Sequence, residues 1–154
     1  MERVHPARYA QNVPLGPPLP NLVPELGMER ALSASRPWRA SVDAVAWPPN
    51  RLVLFEAKIL KLIDGAAKLP FYKALVASTP ELAGDLDRTV LLVLVVPFES
   101  EQLRAMVAGT GIQVEVFRPA WISDYVRELN DYWTADAVRL RAEKLRLRTL
   151  FGLE

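Results

Sequence analysis

Asp43, Glu56 and Lys58 are the residues of this chain whose types and spacing suit chemistry. They stand in Ser41 to Lys58, where an alternating run to Trp47, the breakers Pro48-Pro49-Asn50 and a β-rich run from Leu52 to Ile59 predict a β-hairpin. A four-residue loop, Pro48 to Arg51, pairs Trp47 with Leu52, and that register carried back sets Asp43 opposite Glu56. Opposed residues have Cβ atoms roughly 5 Å apart, and the two-residue period of a strand puts Lys58 on the face of Glu56. Carboxylates so close repel each other, and a divalent cation that takes an oxygen from each relieves them. The ammonium beside them can meet an attacking water or the charge growing on a phosphoryl group. Everything hangs on the register, because a slip of one residue turns Asp43 to the other face.

The surrounding elements must hold that hairpin. Asp64 to Val76 has helical apolar spacing, with Asp64 a candidate N-cap. Pro70 leaves two possibilities: a helix that begins at the proline, or a longer one in which Lys68 and Tyr72 lie one turn apart on a common face. Thr89 to Val96 is nearly all Val and Leu, the pattern of a strand buried on both faces in a parallel sheet. Ser100 to Val107 reads as helix, Gly109-Thr110-Gly111 as a turn and Gln113 to Phe117 as a strand. Upstream, Pro24 followed by Glu25 to Leu32 predicts a short helix with acids near its positive end. The sum is an α/β domain with a mixed sheet.

Asp43, then Glu56-Ala57-Lys58 on the next strand, resembles the PD-(D/E)xK, or restriction-endonuclease-like, nuclease superfamily, with Val42 where the motif's name has Pro. Lys68-Leu-Pro-Phe-Tyr72 resembles the Gln-x-x-x-Tyr element of its RecB-like and lambda-exonuclease-like branches, with Lys in place of Gln. The resemblance runs from about Glu25 to Val96. It implies a mixed β-sheet flanked by helices and a Mg²⁺ or Mn²⁺ ion held by Asp43, Glu56 and the Ala57 carbonyl. Glu29, or else Glu25, would be a further carboxylate from a preceding helix. It also implies DNA hydrolysis in which Asp43, Glu56 and Lys58 are catalytic and Lys68 and Tyr72 contact the scissile-strand phosphate. The family's core has three strands before its crossover helix, where this sequence yields two.

Three segments follow: a Pro-rich extended arm over 1–23, the nuclease-like core over 24–118 and a helical extension over 119–154. The first 24 residues hold six of the 13 prolines, so the arm is expected outside the sheet, either draped or docked on a neighbouring subunit, and its deletion is expected to leave the core folded. Trp121, Tyr125, Leu129 and Trp133 recur at four-residue spacing, a face for core or subunit packing or for stacking bases. Arg139, Arg141, Lys144, Arg146 and Arg148 mark a basic terminal helix, a solvated face or else one that tracks DNA phosphates or docks an acidic partner.

The chain has no cysteine and a single histidine, His5, which excludes thiol chemistry, thiolate zinc sites and a two-histidine metal site. No GKS or GKT phosphate loop is present, which argues against ATP use. A net charge of +1 gives no global pull toward nucleic acid, and 51% apolar against 24% charged residues is an ordinary globular balance. The longest apolar run is too short to span a bilayer, so a cytoplasmic setting, or a virion for a phage component, is expected and no membrane partner. The leading functional expectation is a metal-dependent DNA nuclease. A non-catalytic nuclease-fold protein of a phage head, neck or packaging assembly, joined into a homo-oligomer or larger complex through the arm and terminal helix, is the alternative, and an unrelated α/β domain the third.

Overall fold

The computed structural model describes residues 8–132 and 134–151; His5 and Trp133 lie outside them. Its elements in chain order are β1 (Tyr9–Leu15), α1 (Val23–Leu26), α2 (Met28–Ser35), β2 (Ala40–Ala46), β3 (Arg51–Ala57), α3 (Leu62–Val76), β4 (Thr89–Val96), α4 (Glu101–Val107), β5 (Ile112–Val116), α5 (Ala120–Tyr132) and α6 (Ala135–Leu150). The five strands form one sheet in sequence order; β1, β2 and β3 are antiparallel neighbours, and β3, β4 and β5 are parallel. The fold is α/β, a restriction-endonuclease-like mixed sheet flanked by helices.

Local chemistry fixes the hairpin. Arg51 N–H donates to the Pro48 carbonyl at 3.2 Å, closing a turn with Pro49 second and Asn50 third, at φ 56°. These are the residue types such a turn calls for. Trp47 Nε1 then donates to Asp85 Oδ2 at 2.8 Å, and Arg88 joins Asp85 to the Pro48 carbonyl. Parallel strands need a crossover, and α3 supplies it, running unbroken through Pro70 from Leu62 rather than starting at Asp64 or at the proline. Leu62, Ala66, Leu69, Tyr72 and Val76 of α3 bury against Leu52, Leu54, Leu92, Leu94 and Val96, with Leu103 of α4 in the same cluster. On the other face Ala46, Val53 and Val93 form a second cluster, as the unbroken apolar run of β4 predicts.

The proline-rich segment departs from expectation. Tyr9–Leu15 is β1, the edge strand against β2, and Leu15 is 1% exposed. Only Pro14 among the prolines falls in the strand, near its end, and an edge strand tolerates a residue that cannot donate. The chain is then tied back by side chains. Gly16 N–H donates to Thr79 Oγ1 at 2.7 Å, Leu19 N–H to Ser35 Oγ at 2.8 Å, and Arg36 to the Asn12 carbonyl at 3.1 Å. So β1 is the third strand ahead of the crossover helix. The helix expected after Pro24 is split in two by Gly27 at φ 74°.

The chain divides into two compact units between Phe117 and Arg118. In the second, α5 buries Ile122, with Val126 and Leu129 half-buried, while Trp121 is 55% exposed and Tyr125 is exposed too. Its packed stripe is therefore turned by about one residue from the expected Trp121, Tyr125, Leu129 line. Thr134 caps α6, accepting from Ala137 N–H at 3.3 Å. That helix buries no residue; Leu140, Leu145, Leu147 and Leu150 are exposed among Arg139, Lys144, Arg146 and Arg148, with Arg141 half-buried. Among the described residues no helix is long and apolar enough to cross a membrane.

Candidate active site

The hairpin ladder pairs Ala46 with Val53, Val45 with Leu54 and Ala44 with Phe55, the register expected from the sequence as far as Ala44. The ladder stops at Ala44, and beyond it a side chain takes over: Asp43 Oδ2 accepts the Ala57 N–H at 2.8 Å. The neighbouring strand is irregular at the same level. Asn12 holds a left-handed φ of 50°, the β1–β2 ladder passes from Gln11–Ala44 to Val13–Val42, and Val42 and Val45 both reach the α3-side core. The alternation of faces is thus broken between Val42 and Val45, where the Asp43 carboxylate meets β3.

Glu56 follows Leu52 and Leu54 on the face that α3 covers and is 1% exposed. Its Oε1 lies 2.7 Å from Lys58 Nζ and 3.7 Å from Lys68 Nζ, whereas Oε2 is buried without a hydrogen-bond partner. A carboxylate oxygen so placed is costly unless something meets it. Burial alone would lower the Lys58 pKa, but the hydrogen bond and charge of Glu56, with the charges of Asp43 and Asp64, outweigh it and raise the pKa. Lys58 is therefore an ammonium at neutral pH.

Tyr72 is 5% exposed, and burial, with the charges of Glu56 and Asp43, pushes its pKa up to about 12. Lys68 of α3 thus pairs with Glu56 on the α3 side of the sheet, and the charges of Asp43 and Glu56 reach the Tyr72 phenol. The phenol favours the folded state while it keeps its proton. That contribution is complete below the ordinary tyrosine pKa, near 10, and disappears as pH rises to about 12. Urea unfolding is expected to lose at most about 2–3 kcal/mol across that window through this group. Tyr72→Phe should remove that part of the slope; an unchanged slope would show that the phenol ionises unhindered.

Gly65, buried in the second turn of α3, is a site residue that motif spacing misses. A Cβ there would lie 2.7 Å from Lys58 Cγ, 2.8 Å from Leu94 Cδ1 and 3.7 Å from Glu56 Cγ. The helix backbone is thus the seat on which the Lys58 stem rests, and it holds the ammonium on Glu56. The available signal was a glycine inside a helix, where it costs about 1 kcal/mol relative to Ala and so calls for a packing reason.

The remaining candidates are spread more widely. Lys68 is half exposed and lies 3.7 Å from Glu56, while Tyr72 is buried at 5% exposure. Glu29 and Glu25 are solvent-exposed on α2 and α1. Among the described residues no three Asp, Glu, His or Cys side chains gather into a metal-binding group, so neither completes a trio with Asp43 and Glu56. The basic residues of α6 belong to the second unit.

Two carboxylates, one with a buried unmet oxygen, are donors of the kind that fit a hard divalent ion. Magnesium commonly binds one or two carboxylates and keeps its other positions for water and phosphate, which suits so small a donor set. No protein-family model matches the chain, and no curated protein matches it. Among solved structures, a repair endonuclease from Pyrococcus abyssi is similar to part of it: 17% identical, with a TM-score of 0.42, over 52% of this chain and 34% of that one. The chain thus spans about a third of that protein's length, and the chemistry assigned to the site rests on its own residues.

Proposed function

We propose that the chain is a metal-dependent DNA nuclease of PD-(D/E)xK type that hydrolyses phosphodiester bonds. The observation that carries this is the unmet Oε2 of buried Glu56, beside an Asp43 carboxylate already fixed by the Ala57 N–H. A divalent ion, Mg²⁺ or Mn²⁺, held by Asp43, Glu56 and the Ala57 carbonyl would lower the pKa of water and offset charge at phosphorus. Lys58, protonated and seated on Gly65, orients the attacking water and balances negative charge in the transition state. Lys68, open to solvent, holds a phosphate oxygen of the scissile strand. Tyr72 stays neutral and packs the carboxylates against α3.

The purified chain is expected to cut DNA in Mg²⁺ or Mn²⁺ and to leave it intact in chelator. A protein that binds no divalent ion at millimolar concentration and spares single-stranded, duplex and branched DNA would overturn the proposal. The exposed leucines of α6, interleaved with arginines, favour a second reading, a nuclease-fold assembly protein that forms homo-oligomers or larger complexes through that helix. Light scattering distinguishes it: an inactive chain whose self-association is lost on Leu145→Glu would support that reading.

A further inference from the structure

Helix α3 turns an uncovered apolar stripe outward beside the carboxylates. Ile63, Ala67, Pro70, Phe71 and Ala74 follow helical spacing and are all exposed, Phe71 at 56%. A helix apolar on every side is ordinarily buried. Here only one side is, by the core. Lys61, Lys68 and Lys73 border the stripe, opposed by Asp64 alone, and all four are exposed. The stripe is continuous with the site: the Phe71 ring lies 6.2 Å from that of Tyr72, and Lys68, one turn earlier, reaches within 3.7 Å of Glu56.

We infer that this face is a platform for an unpaired DNA strand, with Phe71 stacking a base and Lys68 holding the neighbouring phosphate. The inference rests on the nuclease reading and narrows its substrate to strands with an unpaired segment or frayed end. Charge selects the occupant, because lysines around an apolar strip suit a polyanion that also carries flat apolar surfaces. Base and backbone in one strand offer both, and aromatic stacking with a basic border is how such strands are held. An intact duplex hides its base faces within its own stack, so Phe71 has nothing to meet there.

The test uses the full chain in chelator, where no strand is cut, with fluorescence anisotropy of a labelled oligothymidylate and of a blunt duplex. Wild type is expected to bind the unpaired strand more tightly. Phe71→Ala should weaken that binding about tenfold, the loss of one stacked base, and leave duplex binding within about twofold. Phe71→Trp should restore affinity, and its added indole emission should be quenched by the unpaired strand and not by the duplex. Unchanged strand binding in Phe71→Ala, an equal loss for both DNAs, or no DNA binding by wild type would each overturn the platform; the last would leave the stripe to a protein partner. Cleavage without Phe71 dependence sinks this inference alone, and Phe71-dependent binding without cleavage in metal sinks the nuclease reading alone.

Discussion

Glu56→Gln is expected to abolish metal-dependent DNA cleavage, by at least about two to three orders of magnitude, while the chain stays folded. The amide keeps the shape of a side chain packed at 1% exposure and removes the charge from a buried oxygen that, among the described residues, no protein group meets. Stability should change little. The variant no longer buries a carboxylate, a gain, while Lys58 loses its 2.7 Å partner, a loss softened by Asp43 and Asp64 nearby. Lys58→Ala should behave differently: it withdraws a positive charge from beside the ion, so calorimetric metal affinity should hold or rise while turnover falls. Wild-type cleavage by Glu56→Gln would remove Asp43, Glu56 and Lys58 from catalysis together. An inactive wild type whose Glu56→Gln form melts higher would instead mark an ion-binding pair kept, strained, in a protein that does other work.

The hairpin was legible because three separate signals agreed on its register. Alternation chose the faces, the Pro-Pro-Asn cluster fixed the loop, and β-branched residues marked where pairing runs. The ladder from Ala46–Val53 to Ala44–Phe55 follows that register. What sequence spacing did not carry is the bond from Ala57 N–H to Asp43, since a side chain that takes over where a ladder ends leaves no periodic signal. Gly65 escaped for a similar reason. Its importance lies in what a methyl would strike across a helix–sheet contact, and local periodicity contains no such information. In α5 the four-residue spacing of the aromatics points to a face led by Trp121 and Tyr125, yet the smaller Ile122 is the buried one, because burial follows helix phase and not residue size.

Deleting the chain through Gly16 is expected to abolish cooperative folding, where proline content alone predicted an intact core. Three losses add. Leu15 leaves the core, and large-to-small changes at so buried a leucine already cost about 2–5 kcal/mol. Val42 and Val45 on β2 lose the cover of Val13 and Ala10, and β2 becomes a bare edge with its ladder groups unpaired along that side. The Gly16–Thr79 hydrogen bond, which ties the strand's end to the segment after α3, goes as well. Against a total stability of about 5–15 kcal/mol for a small domain, that sum exceeds what most such domains can lose. Leu15→Ala isolates the first loss, and its urea midpoint should fall by an amount equivalent to about 2–5 kcal/mol with the slope unchanged. The truncated chain should show no single thermal transition by circular dichroism. If it melted like wild type, β1 would be an ornament on a four-stranded core. If it unfolded as expected, the strand paired with β2 on both sides of Asp43 would also be gone, and with it that support for the carboxylate bonded to Ala57. Activity should then be absent from any residual folded fraction, so the segment richest in proline would be part of the active site's own frame.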